Sequence, residues 1–356
     1  MTVIGHGYDD NVGAPAFRNV IINGGMSVAQ RSSSVASITT DGYYTADRFG
    51  TRNITLGTWT QSVENDAPTG SGHRKSLKML CTTAKASPSA GDGLWIRHKI
   101  EGQNLQHFVK GTSSAKTFSL QFWVKANVTG TYTIALYDND NNRHVGATYT
   151  ISASATWEKK TVAFAADTSG VFDNDNMDSL WVDFGLGAGS SWTSGSIPSV
   201  WGTYSGVNYA VGQVNVAAAT NNYWQITGVQ LEAGPVATPF EFLPFGEELR
   251  RCQRYYQIIP SGRINGICAS ATGINRFGGP LIPEMRTAPP TCGIVGIIPV
   301  FDGVNIGTVT AVSGLYNAST YVEFDVVLAT GSFAEYRPVH SYVSPGSGYL
   351  TASAEL

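Results

Sequence analysis

Residues 117–125 read TFSLQFWVK, and their parity decides the fold class. Phe118, Leu120, Phe122 and Val124 fall on one side of an extended chain, with Thr117, Ser119, Gln121, Trp123 and Lys125 on the other. A period of two lets a strand bury one face against a core, whereas a helix would need apolar residues at steps of three and four. The same period returns at Leu180, Val182, Phe184 and Leu186. It returns again at Val322, Phe324, Val326 and Leu328, where Glu323 and Asp325 take the outward positions. Turn-forming clusters separate such runs, at 67–72 (APTGSG), 138–142 (DNDNN), 188–196 (AGSSWTSGS) and 344–348 (SPGSG). Many half-buried strands with frequent turns predict an all-β protein built as a sandwich or barrel.

Composition agrees with that class and excludes several functions. Only 14% of the 356 residues are charged, while 40 glycines supply tight turns. A net charge of −3, with no run of Lys or Arg, gives no field for a polyanion, so nucleic acid is not an expected partner. Cys81, Cys252, Cys268 and Cys292 form no Cys-x-x-Cys pair, which predicts free thiols in a reducing cytoplasm. The start MTVIGHGYDD lacks the basic and apolar regions of a signal peptide. The apolar stretch 294–301 is too short to span a bilayer and contains Pro299, so no membrane insertion is expected.

One segment departs from the strand pattern. In YWQITGVQL (223–231), Trp224 and Ile226 share one parity and Val229 and Leu231 the other, which predicts a bulge at Thr227–Gly228 in a strand closing the rim of a first sandwich. GPVATPFEFLPF (234–245) carries three prolines and reads as an extended connector. A helix is then expected from Glu247 to Gln257, with acids first, arginines later, and a Glu247–Arg251 pair at i,i+4. Its stripe of Leu249, Cys252 and Tyr256 must pack on something, since about 11 residues do not make a stable helix alone. The stripe either plugs the seam between two β units or meets its copies around a symmetry axis. Residues 258–356 form a second strand-rich unit, with turns expected at Gly278–Pro280, Pro289–Pro290 and Asp302–Gly303.

The segment TGVQLEAGPVATPFEFLPFGEELRRCQRYYQ (227–257) resembles bacteriophage tail-fibre and other virion-associated proteins. So do FRNVIINGGMSVAQR (17–31), YTADRF (44–49), IEGQNL (100–105), FSLQFWVKA (118–126), PEMRTAPP (283–290) and the terminal SAEL. Such proteins carry a jelly-roll domain similar to carbohydrate-binding modules. The resemblance implies an N-terminal attachment arm at 1–18, a jelly-roll β-sandwich at 19–245, a linker helix at 246–257 and a second, smaller C-terminal β-sandwich domain at 258–356. It implies a homotrimeric virion component that meets other tail or capsid proteins and the host surface, and it carries over no catalytic residues.

A nucleophile elbow, a phosphate-binding glycine loop and His-Glu-x-x-His are all absent, and the six histidines show no ligand spacing, so no enzyme is expected. Glycoside hydrolysis would need two suitably spaced carboxylates, and nothing in the sequence nominates a pair. The acidic turns at 138–142 and at Asp173, Asp175 and Asp178 either hold a structural Ca²⁺ or supply turn caps. The Gly/Ser-rich stretch 189–210 displays Trp192, Trp201, Tyr204 and Tyr209. Aromatic faces stack on the weakly positive C–H bonds of a sugar, so these four are the expected glycan platform. Trp123, on the non-core parity of its strand, is expected at an interface. The function these readings favour is a receptor-binding adhesin for host glycans. A purely structural decoration protein and a polysaccharide depolymerase are the alternatives.

Overall fold

The computed structural model describes residues 18–260, 265–268, 274–287, 290–302, 304–317, 320–330, 338–341 and 347–356. The arm expected at 1–18 therefore lies, except for Arg18, outside the described residues. So do the Pro289 turn and most of the 344–348 cluster.

The protein is all-β, opening with a jelly-roll sandwich. One sheet runs, edge to edge, Ser34–Ile38, Thr58–Glu64, Ser76–Thr83, Tyr223–Ala233, Phe118–Ala126 and Glu158–Phe164. The facing sheet runs Gly202–Thr203, Arg143–Ile151, Gly130–Asp138, Asp178–Ala188, Gly93–Glu101, Phe49–Ile54 and Gly42–Tyr43. The parity of 117–125 is realised: Phe118, Leu120, Phe122 and Val124 are buried against Leu180, Val182, Phe184 and Leu186 from the other sheet in one apolar core. Ser119 and Gln121, on the opposite parity, are buried as well, because the proline-rich connector folds back over them. Ser119 Oγ donates to Gly234 O at 2.5 Å and Gln121 Nε2 to Thr238 O at 2.5 Å.

The phase change in 223–231 is a bulge, as expected. The pairing with Phe118–Ala126 slips between Thr227 and Gln230, Gly228 stands at φ +63°, and Trp224, Ile226, Val229 and Leu231 all reach the core. Its place differs from the expectation. Tyr223–Ala233 lies inside the six-stranded sheet, between Ser76–Thr83 and Phe118–Ala126, because side chains buried along its length need neighbours on both edges.

The helix is shorter than the charge pattern predicts. It spans Phe245–Gln253 from an N-cap at Pro244, and Tyr256 already opens the strand Tyr256–Pro260. The Glu247–Arg251 pair does not form. Glu247 pairs with Arg250 at 3.3 Å, and Arg251 Nη2 instead donates to Asn19 O at 3.4 Å. Leu249 and Cys252 pack with Ile22, Val28, Tyr255 and Leu356, so the stripe is consumed within the chain. The Tyr256 ring lies 3.7 Å beneath the Arg31 guanidinium.

The second β unit follows. Asn265–Cys268, Ile274–Pro280, Tyr321–Thr330, Ile306–Asn317, Ile298–Phe301 and Pro338–Ser341 close into a barrel, in the unit expected to be a smaller β-sandwich. Tyr349–Ser353 pairs on one side with Tyr256–Pro260 and on the other with Thr291–Val295. Gly278–Pro280 is strand rather than turn. A Cβ on Gly278 would sit 2.1 Å from Tyr321 Oη, so this glycine makes room for a cross-strand ring.

The two β units meet through ionic and aromatic contacts. Arg48, wholly buried, stacks 3.5 Å over Tyr255 and pairs with Glu355, which Arg31 also reaches at 3.0 Å. Arg254 grips Glu101 of the IEGQNL segment through two hydrogen bonds of 2.9 and 3.0 Å. Arg286 donates to the carbonyls of Asn176, Ala354 and Glu355. Among the described residues, no helix is long and apolar enough to cross a membrane.

Candidate functional site

The 189–210 stretch does not stand away from the sandwich. Gly189 and Ser191 donate backbone hydrogen bonds to Asp92 O and Ala90 O, and Tyr204 donates to Asn142 O, which folds the stretch over the outward face of the seven-stranded sheet. There its rings meet outward-facing residues of the sheet itself. Lys99, Trp181, Tyr137 and His144 face one another across four successive strands, and beside them runs the row Gly50, Arg97, Asp183 and Ala135.

The rings form a continuous cluster. Trp181 and Tyr137 lie 4.7 Å apart, Tyr137 meets Tyr204 edge-on at 5.2 Å, and Trp192 meets Trp95 edge-on at 5.1 Å. Trp181, Tyr137, Trp192 and Tyr204 are half-buried, and each keeps part of its ring at the surface. Trp181 is oriented at both ends: its Nε1 donates to Asp178 Oδ2 at 2.7 Å, and Arg97 and Lys99 lie over its ring at 3.9 and 4.9 Å.

Polar groups lock the floor. Arg97 donates through Nε and Nη2 to the two oxygens of Asp183 at 2.7 and 2.6 Å, a bidentate pair that fixes the guanidinium plane. Burial opposes the Arg97 charge, and Asp183 outweighs it, so the guanidinium is held above its ordinary pKa. Tyr209 Oη also donates to Asp183, at 2.7 Å, and burial followed by that carboxylate pushes the phenol well above the usual range. His144, buried beside Tyr204 and Tyr209, has its pKa lowered by burial.

Of the four expected platform residues, Trp192 and Tyr204 are at the surface and two are not. Tyr209 is 3% exposed beneath the cluster. Trp201 is 7% exposed, rests 5.5 Å from Phe118 in the sandwich core and donates its Nε1 to Ala165 O at 2.9 Å. Large rings in a Gly/Ser background found core space that no other side chain filled. Trp123 is half-buried on the outward face of the opposite sheet, in register with Thr227 and Lys159.

At the expected calcium loop the carboxylates meet protein groups or solvent. Asp178 serves Trp181 and, at 3.0 Å, Lys99; Asp175 accepts from the Met177 N–H at 2.9 Å; Asp173 is exposed. Among the described residues no three His, Cys, Asp or Glu gather as a metal site. In the other acidic turn, Asp138 accepts from the Asn141 N–H at 3.0 Å, as a turn cap does. The cation beside that turn is Lys110, whose buried Nζ sits 2.5 Å from Asp138 and 3.1 Å from Asp167.

Trp95, Arg97, Lys99, Tyr137 and Trp181 were not singled out in the sequence, although the signal was present. In LWIRHKI (94–100), IALYD (134–138) and SLWVDFGL (179–186), each occupies the outward parity of a strand whose inward parity is mostly apolar.

No family model matches the chain, and no curated protein matches it significantly. Among solved structures, the enzymatically active domain of bacteriophage CBA120 tailspike protein 4 aligns at 15% identity and a TM-score of 0.32. That alignment covers 61% of this chain and 21% of the tailspike chain. TmCBM61, solved with β-1,4-galactotriose, aligns at 7% identity and a TM-score of 0.31 over 61% of this chain and 99% of its own. The family 11 carbohydrate-binding module from Clostridium thermocellum, solved with a mixed-linked tetrasaccharide, aligns at 9% identity and a TM-score of 0.30, over 58% and 98% of the two chains.

Proposed function

We propose that this protein is a non-catalytic adhesin that holds a host-surface glycan on the outward face of its seven-stranded sheet, as a component of a bacteriophage virion such as a tail fibre. The observation that carries this reading is the meeting of Tyr137, Trp181, Trp192 and Tyr204 with Arg52, Arg97 and Lys99 on one stiff sheet face. Ring faces attract the C–H bonds of a pyranose, and guanidinium and ammonium groups donate to its hydroxyls. Because packing and the Asp183 clamp fix these side chains in advance, binding costs little further ordering.

The virion role rests on the motif residues, above all 227–257, and with it come a homotrimer and mounting on other tail or capsid proteins. Absence of catalysis is supported by how the carboxylates of this face are used. Asp183 accepts from Arg97 and Tyr209, and Asp178 serves Lys99 and Trp181, so each is committed to holding the face together. A glycosidase acid must instead be free to deliver a proton.

The test is binding of the purified chain to host cells and to a glycan array, with Trp181→Ala and Tyr137→Ala compared against Trp123→Ala on the opposite sheet. The reading expects the first two to lose binding and the third to keep it. A chain that binds no glycan would support a purely structural role, and release of reducing ends would point to a depolymerase.

A further inference from the structure

Beside the aromatic cluster, the strands Gly93–Glu101, Phe49–Ile54 and Gly42–Tyr43 enclose a surface depression lined by Asp41, Tyr43, Thr51, Arg52, Arg97 and Lys99. Three cationic side chains, one carboxylate side chain and Leu356 line this space. The carboxylates that balance Arg97 and Lys99, Asp183 and Asp178, belong to the Asp178–Ala188 strand on the far side of those side chains from the depression. Arg97 spends Nε and Nη2 on Asp183, which leaves the Nη1 donors of a planar fork unspent on that partner. Asp41 is already engaged, since its Oδ1 accepts from the Asn53 N–H at 2.8 Å.

Arg52 is different from both neighbours. Its guanidinium lies 5.4 Å from the Trp192 ring and 5.5 Å from the Trp95 ring, and among the described residues no carboxylate is within ion-pair distance of it. It stands on the strand next to Arg97, with Gly50 opposite Arg97 and Arg52 opposite Trp95, so the two arginines occupy diagonal positions on one face. Gly50 itself presents no side chain between them; a Cβ there would meet the Tyr43 ring at 3.2 Å.

Given a glycan on this face, as the preceding reading holds, we infer that its repeating unit is acidic, with a sugar carboxylate seated between Arg52 and Arg97. A carboxylate offers two oxygens to a guanidinium fork, and a charge-assisted bond of this kind is stronger than one to a neutral hydroxyl. The pyranose bearing it then lies toward Trp181 and Trp192, whose rings adjoin the two arginines. A neutral sugar would leave Arg52 with hydroxyl contacts alone. The protein's net charge of −3 opposes long-range capture of a polyanion, so selectivity arises in this depression and not from the overall field.

The experiment uses the full chain on an array of uronate- and sialate-containing glycans, each printed beside its carboxyl-reduced form. The expected result is binding to acidic members that drops by about tenfold or more on carboxyl reduction. Arg52→Gln should reproduce that drop for acidic glycans, and Arg52→Lys should restore part of it. Raising the salt concentration should weaken the acidic interaction, because exposed charge pairs are screened. Equal binding to acidic and reduced forms, still abolished by Trp181→Ala, would overturn the acidic inference and leave the glycan-holding face standing. Unchanged acidic binding by Arg52→Gln would overturn the seat itself. No binding to any glycan would overturn both.

Discussion

Lys110 offers the most demanding test of how this sandwich holds its loops. Its ammonium is wholly buried and surrounded by oxygens: Asp138 Oδ2 at 2.5 Å, Gly170 O at 2.7 Å, and Ser169 O and Asp167 Oδ2 at 3.1 Å. The Phe172 and Trp201 rings stand at 4.9 and 5.1 Å. Three segments, 138–142, 167–173 and the turn at 110, are thus tied by one charge. Lys110→Met keeps most of the length of the side chain and removes the charge, leaving the buried Asp138 without its counter-ion. Breaking a buried pair from one side costs roughly 3–5 kcal/mol. At about 2–4 °C per kcal/mol for a domain of this order, the melting temperature should fall by roughly 6–20 °C. The control is Lys160→Met, whose partner Glu158 lies 2.6 Å away in a more exposed pair worth about 0–1 kcal/mol. Urea unfolding followed by tryptophan fluorescence reads both variants. A Lys110→Met loss no larger than that of Lys160→Met would refute the internal-cation reasoning.

Two further outcomes follow from the joint and the connector. Glu355→Ala removes the carboxylate that Arg31 and the buried Arg48 share, and roughly 3–5 kcal/mol of stability should be lost in the same denaturation assay, whereas Arg250→Ala on the exposed helix face should cost under about 0.5 kcal/mol. His73 packs edge-on against Phe240 at 4.7 Å, and burial, helped by Lys159, lowers its pKa to about 4. The folded state therefore prefers the neutral ring. This contribution is complete above the unfolded value of about 6.5, is lost as pH falls from there toward 4, and is tested by following the His73 ring resonance by NMR; titration near 6.5 would contradict it.

The sandwich was legible because its strands are half-buried, so parity alone separated Phe118, Leu120, Phe122 and Val124 from their neighbours. The bulge at Gly228 was legible for the same reason, as a change of phase. The central position of Tyr223–Ala233 was not, because strand order is set by pairings between residues far apart in sequence. Helix length was over-read because Tyr256 continues the apolar spacing by coincidence; its ring is held by Arg31 from a strand. The site was half legible. Trp192 and Tyr204 announced themselves in a Gly/Ser background, but that background could not say which rings would be swallowed, as Trp201 and Tyr209 are. Trp181, Arg97 and Arg52 become a site only when three strands are laid side by side.

The most direct measurement is a two-dimensional ¹H–¹⁵N spectrum of the indole groups of the eight tryptophans, recorded during titration with a glycan selected on the array. The account predicts that Trp181 and Trp192 shift while the buried Trp59 and Trp224 stay in place and the glycan keeps its length. Shifts confined to Trp123 and Trp157, away from the aromatic face, or progressive shortening of the polymer during the titration, would contradict it.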